Sequence, residues 1–354
     1  MLPYSLIFLY SLYKSLSSSI YTKCSKTESF FFILILTVFI GTRYQVGPDW
    51  DQYFIYLDSS ADMNLFQIFT EKDPFFILIN WFFAKSEYGI YLVNSVCAFI
   101  FSFSIVKFCQ TLPNFWLALN LATPYLIFVV GMGYNRQAVS LSLVMYGFTF
   151  LQKRQFIYYL VTLISSFGFH ASSLINSFFV LFAIRSKYLL NKFIYFLVII
   201  TTGYFAFDIF YSRSVSDLFY LYFIWDGYQS AGVFVRLLTY LIPAIIFLLC
   251  RKRFDVSPFL VTQLTIQSIL AIILFIVNLQ FPLLSTPIDR ISLYLIPLQI
   301  TVLSYLVKIR LFNFSPKFIK IILLLYSSLI YIVWFNLGNH AEFWLPYKTI
   351  LFNY

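Results

Sequence analysis

The chain has 354 residues, of which 61% are hydrophobic and only 11% are charged, and its mean hydropathy is +0.83. Soluble domains carry roughly 25% charged residues, so these side chains could not cover a water-facing surface, and we expect lipid to surround most of the chain. The net charge of +10 comes from Lys and Arg residues scattered over short loops, with no basic patch between base-stacking aromatic residues, which argues against nucleic-acid binding.

Apolar runs follow one another along the chain, most of them near the length of a helix that crosses a bilayer core of about 30 Å. They cover residues 4–20, 28–42, 88–106, 114–132, 137–151, 156–169, 171–184, 193–210, 233–250, 257–280, 291–307 and 318–336. The first run lacks a basic leader and a small-residue cleavage site, so we expect a retained first helix. The shorter run at 74–84 is typical of an interfacial or re-entrant helix. The sequence therefore predicts an all-α polytopic bundle of about 11–13 transmembrane helices, forming one membrane domain over residues 1–354.

Basic residues gather in alternate loops, and this pattern predicts the orientation of the bundle. Those loops hold 16 of the 24 Lys and Arg residues but only two acidic residues, Glu28 and Asp255, whereas the other 12 of the 14 acidic residues lie towards the opposite side. By the positive-inside rule, the basic loops face the cytoplasm. The outer side then carries loops at 42–87, with a short interfacial helix, and at 211–232, together with a C-terminal tail at 337–354.

The first polar motif follows the second apolar run, where Gly47 and Pro48 turn the chain out of the membrane. Arg43 offers a planar charged fork suited to phosphate or carboxylate, and Asp49 could hold a sugar hydroxyl or orient a basic group. A solvated loop in which Asp pairs with Arg explains the same residues equally well. Tyr53 closes this motif.

Two further motifs lie at outer helix ends. Asn135-Arg136-Gln137 opens a helix, and an arginine at the positive end of a helix dipole favours an anion. A lone arginine there commonly reaches to the lipid headgroups, but the flanking amides favour a polar site. His170 lies between two apolar runs, where it could accept a proton or donate a hydrogen bond to phosphate, or serve only as a structural hydrogen-bonding group.

The last polar group comprises Arg236 and the segment Asp289-Arg290, with Tyr294 one turn further on. Asp289 could simply neutralise Arg290. Because ionisable groups at membrane depth usually line a cavity or pathway, and these groups all fall at the outer side, the pattern indicates a site at one end of the bundle and not a through-channel. Metal-binding and phosphate-loop motifs are missing, and no two cysteines form a CxxC pair, so we expect no metal, no cofactor and no disulfide.

Taken in order, these motifs resemble the EpsG family of polysaccharide-repeat polymerases, which is related in role to the Wzy-type O-antigen polymerases. The resemblance covers about residues 30–300 and lies in Gly41-x-Arg43-x-x-x-Gly47-x-Asp49-x-x-x-Tyr53, the acidic segment at 71–74, Asn135-Arg136-Gln137, Phe169-His170-Ala171-Ser172 and Asp289-Arg290-x-x-x-Tyr294. Such families usually have Glu-Pro where this chain has Asp73-Pro74, so the acidic role is open between Glu71 and Asp73.

The resemblance implies a metal-independent glycosyltransferase of the bacterial inner membrane, with its active site towards the periplasm. Its donor and acceptor would be undecaprenyl-pyrophosphate-linked oligosaccharides, polymerised into O-antigen, capsule or exopolysaccharide, with a chain-length regulator as a further partner. His170 is the preferred base, with Asp49 or Glu71 second. A lipid-linked oligosaccharide flippase, an O-antigen ligase and a membrane O-acyltransferase are the alternatives. The residues expected to bind substrate are Arg43, Tyr53, Asn135, Arg136, Gln137, Arg236, Asp289, Arg290 and Tyr294.

Overall fold

The computed structural model describes residues 1–179, 230, 232–309 and 314–352. Over these residues the regular structure is helical and contains no strand, with isolated backbone bridges only at Thr22–Asn114 and Arg43–Thr349. The predicted all-α class is therefore confirmed. The apolar run at 193–210 and most of the loop at 211–232 lie outside the described residues.

The described residues form fourteen α-helices longer than three residues, and each apolar run that falls within them lies on a helical segment. They are α1 (Leu2–Ser17), α2 (Lys26–Gly41), α3 (Trp50–Ser60), α4 (Leu65–Thr70), α5 (Pro74–Phe83), α6 (Gly89–Cys109), α7 (Phe115–Ala122), α8 (Asn135–Gln152), α9 (Phe156–Phe169), α10 (Val233–Cys250), α11 (Pro258–Gln280), α12 (Ser285–Ser292), α13 (Ile296–Ile309) and α14 (Pro316–Leu337). A π-helical stretch at Thr123–Val130 and a short turn at Gly131–Gly133 continue α7.

Six of the described helical segments are long and apolar enough to cross a membrane. They are Gly89–Cys109, Phe115–Gly133, Val233–Arg253, Pro258–Gln280, Pro282–Ile309 and Pro316–Leu337. Their outward side chains, such as Leu249, Leu325 and Leu329, are exposed apolar groups, which only a lipid environment solvates favourably. The chain is thus a multi-pass membrane protein.

Two segments add detail to the expectation. The segment at 42–87, predicted as a loop with short interfacial helices, holds three short helices, α3, α4 and α5. The described part of the predicted span at 171–184 is a 3-10 helix over Ala171–Phe178. Its first turn is rich in serine, and serine side chains compete with the backbone for hydrogen bonds and so favour helix ends over α-helical interiors.

Local sequence explains where several of these helices begin. Ser25 and Glu28 form a reciprocal capping box at the start of α2. Ser257 and Ser315 cap α11 and α14, and each is followed directly by a proline at the first helical position. Proline is well suited there because its missing N–H would have no intrahelical partner.

The loops between the helices gather at two ends of the bundle. Lys14 pairs with Glu28 at 2.7 Å, Lys308 pairs with Asp255 at 3.1 Å, and Lys320 donates to the Ser18 carbonyl at 2.7 Å. Lys23 also donates to the Gln110 carbonyl at 3.0 Å, and Tyr21 lies near enough to Lys308 to act on its charge. We call this end of the bundle the basic end; it comprises residues 14–28, 107–114, 251–257, 308–309 and 314–320. The polar motifs at 41–53, 71–74, 134–137, 170–172 and 289–290 lie at the other end of the helices, which we call the motif end.

The C-terminal tail predicted at 337–354 folds back into the motif end, and we call residues 338–350 the C-terminal strap. The Trp344 indole is fully buried and donates from Nε1 to the Phe128 carbonyl of the π-helical stretch at 2.8 Å. The Gly47 N–H donates to the Phe343 carbonyl, and the Ile350 N–H to the Thr42 carbonyl. Gly47 has φ of +101°, and a Cβ there would lie 2.5 Å from the Met132 carbonyl oxygen, so this position requires glycine. The strap therefore holds the first polar motif in place.

Candidate functional site

Arg136 and Asp73 form a buried ion pair at the centre of the motif end. Arg136 lies in the first turn of α8, Asp73 precedes α5, and their Nη1 and Oδ2 atoms are 2.7 Å apart. The guanidinium also lies over the Tyr56 ring at 4.6 Å from its centroid. Burial raises the pKa of Asp73, and the positive charge of Arg136 opposes that shift. Glu71 is exposed at the end of α4, so the structure brings Asp73 and not Glu71 against the arginine.

Arg43 points into the protein and is fully buried. Its Nε and Nη1 donate to the carbonyls of Val46 and Ile40, at 3.2 and 2.7 Å, and its Nη2 donates to Asn135 Oδ1 at 2.7 Å. Three of the five guanidinium N–H groups are therefore bonded to the end of α2, to the loop that follows it and to the first residue of α8. Arg43 positions Asn135, and its side chain has no exposed surface.

Asn135 and Tyr53 continue this buried network towards Asp49. The Asn135 side-chain amide donates to Asn94 Oδ1, and its backbone N–H donates to the Tyr53 hydroxyl at 2.8 Å. That hydroxyl in turn faces Asp49 Oδ2 at 3.5 Å. Tyr53 and Asn135 thus lie inside the protein, while Asp49 is partly exposed. Burial raises the pKa of Asp49, whereas the charges of Arg136 and Arg290 lower it.

Arg290 is the exposed arginine of this group. It lies on α12, and its backbone carbonyl accepts a hydrogen bond from Gln137 Nε2 at 2.9 Å, which ties α12 to the start of α8. Its charge acts on Asp49, on Lys72 and on His170, so it faces the same space as Arg136. Among the described residues, no carboxylate lies within ion-pair distance of its guanidinium.

Asp289 pairs with Arg236 and not with its neighbour Arg290. The contact between Arg236 and Asp289 is bidentate, with Nε to Oδ1 and Nη2 to Oδ2 both at 2.6 Å. Ser230 adds a hydrogen bond to Asp289 Oδ2 at 3.0 Å. A fork-to-fork pair of this kind fixes both side chains. It joins the start of α10 to α12, and it leaves Arg290 without a carboxylate partner among the described residues.

His170 ends α9 and caps the following 3-10 helix. Its Nδ1 lies 2.7 Å from Ser172 Oγ and 3.3 Å from the Ser172 backbone nitrogen. Burial, together with the positive charges of Arg136, Arg290 and Lys72, lowers the pKa of the imidazole to about 3. The imidazole is therefore neutral at physiological pH. Tyr294 lies behind it, with its hydroxyl 3.1 Å from Ser172 Oγ.

The structure thus sorts the sequence-predicted residues into two groups. The first group comprises residues that lie close enough for charges to act between them, namely Asp49, Arg136, His170 and Arg290. The second group comprises residues whose hydrogen bonds connect the surrounding elements, namely Arg43, Tyr53, Asn135, Gln137, Arg236, Asp289 and Tyr294. Sequence reasoning missed Lys72, Tyr134 and Ser172. The charge of Asp73 acts on the Lys72 amine, and the charges of Arg236, Asp289, Asp49 and Arg290 act on the Tyr134 hydroxyl. Lys72 and Ser172 lie within the quoted motifs and Tyr134 lies beside one, and this position was the available signal.

This arrangement has the chemistry of an anion site. It combines two arginines, a lysine, a neutral imidazole and a carboxylate whose pKa is raised by burial. Such a set can hold a negatively charged group by charge-assisted hydrogen bonds and can receive a proton nearby. Among the described residues, no three His, Cys, Asp or Glu side chains gather as ligands for a metal ion.

Comparison with protein families gives a match over most of the chain. The family model described as the EpsG family matches residues 27–349. That range contains the whole motif end and nearly all of the C-terminal strap. No curated protein and no solved structure matches the chain.

Proposed function

The chain belongs to the EpsG family, which includes Wzy-type polymerases, and from this premise we propose that it polymerises lipid-linked oligosaccharide repeat units. The coarse function, a polysaccharide polymerase-like membrane protein, follows from the family. The proposal adds the substrates, namely a donor and an acceptor that both carry undecaprenyl pyrophosphate. It also adds the site, which is the group of Asp49, Arg136, His170 and Arg290 at the motif end.

The observation that carries this proposal is which arginines are already bound by other groups of the protein and which one is not. Arg43 is fully buried and makes three hydrogen bonds within the protein, and Arg236 is bound bidentately by Asp289. Arg290 is exposed and has no carboxylate partner among the described residues. An exposed guanidinium beside a second arginine and a lysine is suited to binding a diphosphate group, whose oxygens it can contact bidentately. We therefore propose that Arg290 binds the pyrophosphate and that Arg136 assists it.

The reaction needs charge stabilisation and the removal of one proton. The bond between the anomeric carbon of the donor and the pyrophosphate oxygen breaks, and a glycosidic bond to the acceptor hydroxyl forms. The undecaprenyl pyrophosphate leaves with the bonding electron pair, so its developing negative charge would be stabilised by Arg290 and Arg136. The acceptor hydroxyl loses its proton to His170, with Asp49 as the second choice. The reaction takes place on two lipid-anchored molecules, and no soluble nucleotide sugar takes part.

The low pKa of His170 fits this role once the donor is considered. Positive charges and burial keep the imidazole neutral in the absence of substrate, so its lone pair is free. A bound pyrophosphate would offset the charges of Arg136 and Arg290, and nearby negative charge raises the pKa of an imidazole. His170 would thus become a better proton acceptor only when the donor occupies the site.

We further propose that the protein lies in the bacterial inner membrane and that its motif end faces the periplasm. Support comes from the basic end, where loops rich in Lys and Arg gather, because such loops remain on the cytoplasmic side. The test is labelling of single cysteines, introduced in a background from which the four natural ones are removed. A membrane-impermeant reagent added to whole cells with a permeable outer membrane should label position 85 and leave position 153 unlabelled. The reverse labelling pattern would overturn the orientation.

The polymerase activity is tested with purified protein and a synthetic lipid-linked repeat unit. The proposal expects a ladder of lengthened lipid-linked glycans and the release of one undecaprenyl pyrophosphate for each bond formed. Arg290→Ala should shorten or abolish the ladder. Lys85→Ala is the control, because it removes an exposed positive charge from the 42–87 segment, and it should leave the ladder intact. A wild-type protein that moves the substrate across vesicles without lengthening it would be a flippase. Transfer only to a lipid A acceptor would make it a ligase.

A further inference from the structure

The guanidinium of Arg136 lies in a corner formed by two aromatic rings. Its Cζ atom is 4.6 Å from the ring centroid of Tyr56 on α3 and 5.9 Å from that of Phe76 on α5. The two rings stand almost at right angles, with an interplanar angle of 86° and centroids 5.8 Å apart. Phe76 is fully buried, and Tyr56 is partly buried. We call this pair of rings the aromatic corner.

Asp73 fixes one nitrogen of the same guanidinium. Its Oδ2 lies 2.7 Å from Arg136 Nη1. The Asp73 backbone has φ of +60° directly before Pro74, which is an uncommon conformation for any residue other than glycine and one that a following proline restricts further. Strained backbone of this kind persists only where the surrounding structure enforces it, and it is concentrated at functional sites. The strain at Asp73 therefore supports a functional reason for placing its carboxylate against Arg136.

These contacts leave one edge of the Arg136 guanidinium for a ligand. In an arginine, the Nε–H and one N–H of Nη2 point the same way and form a fork that matches two phosphate oxygens. Arg136 donates from Nη1 to Asp73, and within the described part of the chain its Nε and Nη2 make no hydrogen bond. The side chain is 20% exposed, so part of it is open to a ligand. Aromatic rings contact the flat face of a guanidinium, so they do not use these N–H groups.

We infer that Tyr56, Phe76 and Asp73 are positioning residues, which hold the Arg136 guanidinium so that its Nε–Nη2 fork binds the diphosphate of the lipid-linked donor. A fork that is already fixed loses little conformational freedom when the ligand binds, and this raises affinity without a new contact. The inference also gives a role to the short helices of the 42–87 segment, because α3 and α5 supply the two rings that hold a side chain of α8. The identity of the ligand rests on the proposed function, whereas the positioning of Arg136 does not.

Fluorination of the ring at position 56 tests this inference with little change in the shape of the site. Tyr56→Phe keeps the negative ring face, whereas Tyr56→trifluorophenylalanine has nearly the same size and loses most of the attraction of that face for a cation. The measurement is the Kd of undecaprenyl pyrophosphate in mixed micelles. Relative to Tyr56→Phe, the fluorinated variant should bind about two- to fivefold more weakly, the worth of one exposed cation–π contact.

The sign of this change decides what the ring does. Weaker binding means that the ring holds the guanidinium in the geometry that the ligand needs. Tighter binding would mean that the ring competes with the ligand for Arg136, and an unchanged Kd would mean that the ring takes no part; either result would overturn the inference. Phe76→trifluorophenylalanine is the second variant, and it should weaken binding in the same direction but by less, because its centroid is 5.9 Å from Cζ.

The matched control is Phe54→trifluorophenylalanine. Phe54 lies on the same helix as Tyr56, but its ring packs against Trp50 with centroids 5.8 Å apart. The Kd of this variant should equal that of the wild type. A loss as large as the loss at position 56 would show a general effect of fluorination on α3 and would refute the role of the aromatic corner.

Inorganic pyrophosphate separates this inference from the proposed function. If the wild type binds inorganic pyrophosphate but not undecaprenyl pyrophosphate, the lipid-linked donor is wrong, while weaker binding of inorganic pyrophosphate by Tyr56→trifluorophenylalanine would still support the positioning. If the wild type binds undecaprenyl pyrophosphate and makes a ladder, but fluorination leaves the Kd unchanged, the proposed function stands and the positioning role fails. A wild type that binds neither probe would overturn both.

Discussion

Asp73 provides the sharpest test of how the motif end is built. Its side chain is 1% exposed and its Oδ2 lies 2.7 Å from Arg136 Nη1, while the Arg136 side chain is 20% exposed. Removing one partner of a buried ion pair costs about 3–5 kcal/mol, because the other charge is left uncompensated. Arg136 still has partial access to water and stacks on Tyr56 at 4.6 Å, so we place Asp73→Ala at the lower limit, about 3 kcal/mol.

Asp73→Asn should be milder, since the amide oxygen still accepts from Arg136. A charge-assisted hydrogen bond is roughly twice as strong as one with a neutral partner, so we expect Asp73→Asn to cost about 1–2 kcal/mol. Glu71→Gln is the matched control, because Glu71 is an exposed acid two residues away, and it should change stability by less than about 0.5 kcal/mol.

The assay is the free energy of unfolding in mixed micelles, measured on the three variants at one pH and one detergent composition. The expected order of destabilisation is Asp73→Ala, then Asp73→Asn, then Glu71→Gln. The reasoning is refuted if Asp73→Ala is as stable as the wild type, or if Glu71→Gln costs as much as Asp73→Asn. Either result would mean that the ion pair with Arg136 is not what holds α5 against α8.

Three more predictions concern the surroundings of the site, and each is checked by unfolding in mixed micelles. Trp344→Ala should cost about 3–5 kcal/mol, because it empties a fully buried site, whereas Trp344→Phe should lose little beyond the bond to Phe128, about 1 kcal/mol; equal costs would contradict this. Arg43→Lys should cost about 2–4 kcal/mol, because a point charge cannot replace the fork that bonds two carbonyls and Asn135; wild-type stability would contradict it. His170 has a pKa of about 3 in the folded state and near 6.5 when unfolded, so its contribution is present above pH 6.5 and is lost as the pH falls towards 3. Relative to His170→Asn, the wild type should lose about 2 kcal/mol between neutral pH and about pH 5; parallel curves would contradict it.

The helices of this fold could be predicted well because their signals are local. An apolar run near the length of a bilayer is a property of composition alone, and the run predicted at 233–250 coincides with α10. Proline and serine at helix starts add a second local signal. The 3-10 helix after His170 was not foreseen, because an apolar run does not distinguish between helix types, and the competing bonds of its serines depend on tertiary neighbours.

The site could be predicted as a list of residues, but not as a set of partnerships. The sequence places Asp289 beside Arg290, yet Asp289 binds Arg236 on another helix. The sequence suggests that the Arg43 guanidinium is available to a ligand, yet it donates to two nearby backbone carbonyls, those of Ile40 and Val46. The C-terminal strap was predicted only as a tail, because the carbonyl that accepts from Trp344 belongs to Phe128, 216 positions away along the chain. Which charge is paired and which is open depends on packing between distant helices.

The pairing pattern also supports the proposed binding of a lipid diphosphate, because it makes the site rigid. The pair of Arg236 and Asp289, the Arg43 network and the strap fix α2, α8, α10 and α12 relative to one another. Arg290 then extends from a fixed helix, and no carboxylate of the described part of the chain pairs with it. Preorganised charges cost little to align when the ligand binds, and this makes them effective at stabilising developing charge.

Binding of undecaprenyl pyrophosphate to the purified protein tests the central claim most directly, since it needs neither sugar nor turnover. The account predicts that Arg290→Ala weakens the Kd by about 10- to 150-fold, the loss of one charge-assisted bond worth about 1.5–3 kcal/mol. Arg290→Lys should fall between the wild type and Arg290→Ala, and Lys85→Ala should bind as the wild type does. Equal affinity of the wild type and Arg290→Ala for the lipid pyrophosphate would contradict the assignment.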